Sequence, residues 1–259
     1  MSIKHIFNCV KSPPDPRHFL FTEKRYTSEK NTLPSSVDLR AQCSPVVDQL
    51  DLGSCTANAL ASGLREFLLL KAGKPLTRLS RLFLYYEERS VEGTIKEDSG
   101  ACLKDGLDCM LHLGVCREDL DPYDISTFEN PPSPVAVTEA VDFKISKYMS
   151  VVSLNAAKAC LAQGYPVVIG MQVFDQMESD QAAQTGIVSV PPLGAESLGG
   201  HAVTLVGYTD TPKFQPGYWK GGGWLWLKNS WGSDWGLNGF FKIAYAYANQ
   251  YVDEYWTAR

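Results

Sequence analysis

Gln49-Leu50-Asp51-Leu52-Gly53-Ser54-Cys55-Thr56-Ala57-Asn58-Ala59-Leu60 is the stretch from which the rest of this chain is read. It is a short polar loop that hands one cysteine to the first turn of an amphipathic helix. From Ala57 onward, apolar residues return at Leu60, Ala61, Leu64, Phe67 and Leu68, the spacing of one buried helical face. Gly53 and Ser54 are turn and cap types, so the helix is predicted to start at Ser54 or Cys55. A thiol there feels the positive end of the helix dipole and unpaired backbone N–H groups, both of which favour thiolate. The same residue type also suits a small buried core position. What lies downstream decides between the two.

A thiol that cleaves an acyl bond needs a proton carrier and donors for the developing oxyanion. Histidine suits the first role near neutral pH. Of the four histidines, His5 and His18 lie in a polar N-terminal arm, and His112 sits in a helical stretch between Leu111 and Leu113. His201 differs: Gly199-Gly200 clears space before it, and it opens the apolar run Ala202 to Tyr208. A core histidine with satisfied hydrogen bonds is the other reading of that position. A third element is Lys228-Asn229-Ser230-Trp231-Gly232-Ser233-Asp234-Trp235-Gly236. An asparagine after a hydrophobic strand can accept from an imidazole and fix its tautomer, and Trp231 could shield that bond from water.

The surrounding chain bounds the possibilities. At 259 residues it suffices for one large domain or two lobes. A net charge of −5 with no basic block argues against nucleic acid. The apolar run Phe67 to Leu70 is too short for a bilayer, and Met1 to Asn8 lacks a signal-like apolar segment, which favours a cytoplasmic protein with no membrane partner. Seven cysteines without a Cys-x-x-Cys pair or clustered histidines argue against a metal site, and reduced thiols are expected.

Residues 1–32, with Pro13, Pro14 and Pro16, read as an extended arm or removable leader. Helices are predicted from Cys55, from Ser80 and over Leu103 to Leu113. Phe143 to Val152 alternates like a strand, Ser153 to Gln163 reads as a capped helix, and strands follow at Pro166–Val173, His201–Tyr208, Trp224–Lys228 and Phe240–Ala244. A helical half (about 46–142) followed by a β half (about 143–259) implies an α+β protein of two lobes with a cleft between them.

Taken together, Leu33 to Arg40, Gln49, Gly53-Ser54-Cys55, Gly200-His201-Ala202-Val203, Lys228 to Gly236 and Asn238-Gly239-Phe240 make residues 33–245 resemble the papain-like cysteine peptidases. The run from Gly53 to Ala59 is similar to the bacterial and viral, xylellain-type branch. The resemblance implies a papain-like domain over 33–259, a helical lobe and a β-barrel-like lobe. It implies Cys55 as nucleophile, His201 as its ion-pair partner and acid/base, Asn229 as orienting residue, and the Gln49 amide with the Cys55 N–H as oxyanion donors. No cofactor is implied. Extended peptide or protein substrates would bind along Gly100-Ala101, with Gly170, Met171 and Gly200 flooring a roomy apolar pocket and Trp231 beside the scissile bond. Residues 1–32 would lie across or beside the cleft. Three positions depart from the family pattern: Thr56 stands where tryptophan or tyrosine follows the nucleophile, Leu52 where a cysteine is usual, and Gly200 where aspartate or asparagine precedes the histidine. His201 lies 146 residues after Cys55, within the family's interval of about 130–150, whereas Asn229 lies 174 after it. An inserted hairpin loop at Thr209 to Gly223 would account for the excess. An acyl-transferase or amidase acting on a specialised substrate, and a catalytically silent binding protein, are the rival readings. Retention of all four chemical residues argues against the second.

Overall fold

The computed structural model describes residues 5–15, 19–21, 32–210 and 222–259. From the N-terminus come β1 (Leu20–Phe21) and β2 (Ser36–Asp38). Helix α1 then runs over residues 55–71: Cys55–Ala57 and Glu66–Lys71 are α-helical, and the middle, Asn58–Arg65, is wound as a π-helix. It is followed by α2 (Arg81–Glu92), α3 (Leu103–His112) and α4 (Pro134–Ala140). The remainder is β3 (Tyr148–Val151), α5 (Leu154–Ala162), β4 (Val167–Val173), α6 (Asp180–Thr185), β5 (Ile187–Val188), β6 (Gly199–Asp210), β7 (Gly223–Lys228), β8 (Phe240–Ala244), α7 (Tyr245–Tyr251) and β9 (Val252–Ala258).

Helix boundaries follow local chemistry. Ser80 caps α2 by accepting from Phe83 N, Ser153 caps α5 by accepting from Ala156 N, and Gly93 ends α2 in the left-handed conformation. Ser54 precedes α1, but its side chain makes no cap; its hydroxyl pairs with Tyr123 Oη at 2.6 Å instead. The π-wound middle of α1 lies against β6. Gly63 comes so close that an added β-carbon would sit 1.8 Å from Thr204 Oγ1, and that hydroxyl donates to Ala59 O at 3.1 Å. The widened turns thus press the helix that begins at Cys55 onto the strand that begins beside His201.

The expected barrel-like lobe is instead an open mixed sheet in the order β1-β3-β9-β4-β6-β7-β8-β5, with β2 paired to β6. Its end strands are two residues long and pair parallel to β3 and β8, so they offer no ladder on which the sheet could close. The strand predicted over Phe143 to Val152 is confined to Tyr148–Val151, because Val141–Phe143 forms a 3-10 turn and Ile145 N is spent on Met110 O. The expected hairpin insertion falls largely outside the described residues; Asp210 and Gly223 flank it as an antiparallel pair. Two buried clusters share the sheet. One holds Cys55, Leu60, Leu64, Leu103 and Ala202, the other Met171, Val203, Leu205, Trp231 and Phe241. Among the described residues, no helix is long and apolar enough to cross a membrane.

Candidate active site

The loop before α1 is tied down from several directions. Gly53 N donates to both carboxylate oxygens of Asp98 at 3.0 Å, Tyr123 Oη donates to Gln49 O at 2.9 Å, and Arg81 reaches Asp48 O at 2.9 Å. Cys55 emerges at the helix head fully buried, in a turn whose N–H groups have no helical acceptors. Gln49 is also fully buried. Its amide donates one N–H to Leu52 O at 3.0 Å, and its oxygen accepts from Ser230 Oγ at 2.6 Å, so the direction of the amide is set. One N–H remains for another acceptor.

His201 comes from the opposite side, on β6. Its Nε2 and Asn229 Oδ1 are 2.9 Å apart, so that the ring donates to the amide oxygen. The other ring nitrogen, Nδ1, is buried without an ordinary hydrogen-bond partner, and the imidazole acts on the Cys55 sulfur beside it. Trp231 stacks over the imidazole with centroids 5.1 Å apart and 27° between planes, and is itself 5% exposed. Burial alone would raise the Cys55 thiol; hydrogen bonding from Cys9, with the histidine and the Ala202 backbone, instead holds it well below its ordinary value.

That Cys9 lies on the arm. Cys9 N donates to Gly200 O and Val10 N to Ala101 O, both at 3.0 Å. Upstream, His5 stacks on Trp231 at 3.8 Å between centroids and bonds Glu178 Oε1 at 2.8 Å, while Phe7 meets His201 edge-on at 5.9 Å. Three glycines make room. A β-carbon on Gly100 would stand 1.9 Å from Asn8 O, on Gly199 2.3 Å from Phe7 O, and on Gly200 2.0 Å from Cys9 O. Gly100 and Gly199 also have positive φ, which a side chain would strain.

The structure therefore brings together Cys55, His201, Asn229 and Gln49, with Trp231, Gly100, Ala101 and Gly200 around them. Gly170 faces the same way as Ala202, its register partner. Met171 does not belong to the predicted floor: strand alternation turns it to the other face, into the cluster of Val203 and Leu205. Nor is that floor wholly apolar. Glu254 is paired in register with Gly170, its Oε1 3.2 Å from where a Gly170 β-carbon would stand, and it accepts from Ser12 N and Trp256 Nε1. The other departures also find partners: Thr56 donates to buried Glu88 at 2.7 Å, and Leu52 packs in the helical core. Cys9, Ser230 and Glu254 were not read from the sequence. The alternation Phe7-x-Cys9 was the available sign for the first, and adjacency to Asn229 for the second; β9 carried no recognised pattern.

Comparison with known proteins agrees with this geometry. Residues 33–255 match the model of the papain family of cysteine proteases. The chain is 34% identical to an uncharacterised peptidase C1-like protein of Acanthamoeba polyphaga mimivirus, over 95% of this chain and 83% of that one. It is 28% identical to procathepsin L of Mus musculus, covering 82% of this chain but 60% of the relative. The solved structure of xylellain, a cysteine protease from Xylella fastidiosa, superposes with a TM-score of 0.85 at 32% identity, covering 98% and 95% of the two chains.

Proposed function

The chain belongs to the papain family of cysteine proteases and is a cysteine endopeptidase, and we propose that Cys55 is its nucleophile, served by His201, Asn229 and Gln49. The Cys55 thiolate attacks a peptide carbonyl carbon. The carbonyl electrons move onto oxygen, which accepts from the free N–H of the Gln49 amide and from the Cys55 backbone N–H. His201 Nδ1 gives its proton to the leaving amine, the C–N bond breaks, and a thioester remains. Water then loses a proton to Nδ1 and attacks the thioester; the tetrahedral species collapses, releasing acid and thiolate. Asn229 is a positioning residue: by accepting from Nε2 it keeps Nδ1 turned to the sulfur. One observation carries the assignment: a buried imidazole nitrogen with no other partner lies beside a thiol that its surroundings shift toward the thiolate.

Extended peptide or protein substrates take the path the arm now fills, along Gly100-Ala101 and past Gly170, Gly200 and Trp231. Residues 5–12 keep the chain latent. They escape cleavage because Cys9 offers Cys55 a side chain, while its carbonyl oxygen abuts Gly200. Labelling of the full chain with a thiol-directed epoxide, followed by mass mapping, tests the reading. A single adduct on Cys55, absent in an inactive Cys55→Ala, is expected; activity retained by Cys55→Ala would overturn it.

A further inference from the structure

Hydrolysis makes no use of Cys9, yet this is the arm residue that reaches the sulfur. The main chain is fixed around it. Asn8 Nδ2 donates to Asp98 O at 2.9 Å, Cys9 N to Gly200 O at 3.0 Å and Val10 N to Ala101 O at 3.0 Å. The Cys9 β-carbon lies 3.5 Å from where a side chain on Gly200 would begin. From that anchored backbone the side chain packs against the cluster that holds Cys55, its sulfur 4.0 Å from Val10 O and near enough to Cys55 to act on that thiol. All seven cysteines are free thiols. The contact also divides the labour. Its hydrogen bond to Cys55, with burial, keeps the proton on Cys9, whereas Cys55 is held toward thiolate. One sulfur is primed for oxidation, and the other stands ready to resolve it.

We propose that Cys9 and Cys55 form a reversible disulfide when the protein meets a hydroperoxide, so that the arm is a covalent redox latch over the nucleophile. The latch gains its regulatory meaning from the role proposed for Cys55. In the first step the Cys55 thiolate attacks a peroxide oxygen. The O–O bond breaks, hydroxide leaves, and the sulfur, oxidised by two electrons, becomes a sulfenic acid. In the second step the Cys9 sulfur attacks the Cys55 sulfur. The S–S bond forms, the S–O bond breaks, and oxygen departs as water with the Cys9 proton. Peroxide is the only oxidant required. A disulfide needs its sulfurs about 2.05 Å apart, so the two side chains must turn toward each other from the anchored backbones. Without Cys9, a second peroxide would carry Cys55 to sulfinic acid, beyond the reach of thiol reductants.

The test uses the reduced full-length chain and hydrogen peroxide at one equivalent. Remaining thiols are then blocked, and the protein is digested without reductant for mass mapping. The expected product in most molecules is a linked peptide pair containing Cys9 and Cys55, separated by dithiothreitol with return of the starting peptidase activity. Given at least two equivalents, Cys9→Ala should instead accumulate Cys55 sulfinic acid and stay inactive after reduction, whereas the unaltered chain treated in the same way should recover. A link from Cys9 to Cys102, or equal irreversible oxidation of Cys55 in both proteins, would overturn the latch. The mapping does not depend on turnover. A linked pair in a chain that shows no peptidase activity even after residues 1–12 are removed would sink only the functional reading, and an active chain without the link would sink only the latch.

Discussion

Cys55 at the head of α1 and Cys109 within α3 are equally hidden, at 0% and 2% exposure, yet they lie at opposite ends of thiol chemistry. Burial pushes both toward the neutral form. Around Cys109 nothing opposes it: the nearby Glu88, Glu87, Asp105 and Asp108 push the same way, and the thiol rises far above its ordinary range. At Cys55 a hydrogen bond from Cys9 and an imidazole outweigh burial. A helix head also offers free N–H groups, which a mid-helix position lacks. The lesson is that being buried does not activate a cysteine; what matters is which donors face the sulfur.

The strongest way to break this comparison is to remove each sulfur in turn. Cys55→Ala should lower kcat/KM on a fluorogenic peptide by about 10⁴-fold or more, whereas Cys109→Ala should keep its activity and lose about 1 kcal/mol of stability in urea denaturation. Gln49→Ala removes one oxyanion donor and should reduce kcat by roughly 10²-fold, with little change in KM. Equal losses from Cys109→Ala and Cys55→Ala would mean the two sites are not distinct.

The arm sharpens the contrast from the other side. Removing residues 1–12 should raise the initial rate about tenfold, since a site closed most of the time gains in proportion to the fraction opened. Cys9→Ala should move the Cys55 thiolate titration, followed by ultraviolet absorbance, toward the ordinary thiol value of 9.0, because the largest influence lowering it is gone. An unchanged midpoint would assign the depressed value to His201 and the Ala202 backbone.

A smaller effect reads the structural thiols. Burial raises Cys43 to about 11 and Cys102 and Cys116 to about 12. For groups whose folded value exceeds the unfolded one, the stabilising contribution is complete below the unfolded value of 9.0 and disappears as pH climbs through the folded values. Thermal midpoints should therefore fall between pH 9 and pH 12, and Cys116→Ala should make that decline shallower. Cys55, with its value depressed, contributes in the opposite sense and loses its share as pH drops.

Much of the site could be read from residue order. Gly53-Ser54-Cys55 ahead of an apolar helical face, His201 opening an apolar strand, and Asn229 closing another are local patterns, and local patterns survive without coordinates. Gly200 was read as clearance for close approach, but what approaches is the carbonyl of Cys9, almost two hundred residues earlier. Met171 was misplaced because neighbours in sequence were taken as neighbours on one face, which a strand forbids. Glu254 stayed hidden in a final strand whose partner, β4, is remote in the chain.

By itself, the amino-acid order determined the helix head that carries the thiol and the strand that carries the imidazole, since each rests on periodicity and turn chemistry within a dozen residues; the resemblance to papain-like peptidases rests instead on motifs spread over residues 33–245. Tertiary structure alone decided that the sheet stays open, that α1 widens to meet Thr204, and that the arm brings a second sulfur to the first. Those outcomes depend on how closely distant backbones approach, and glycine clearance at Gly63, Gly100 and Gly200 has meaning only once the facing segment is in place.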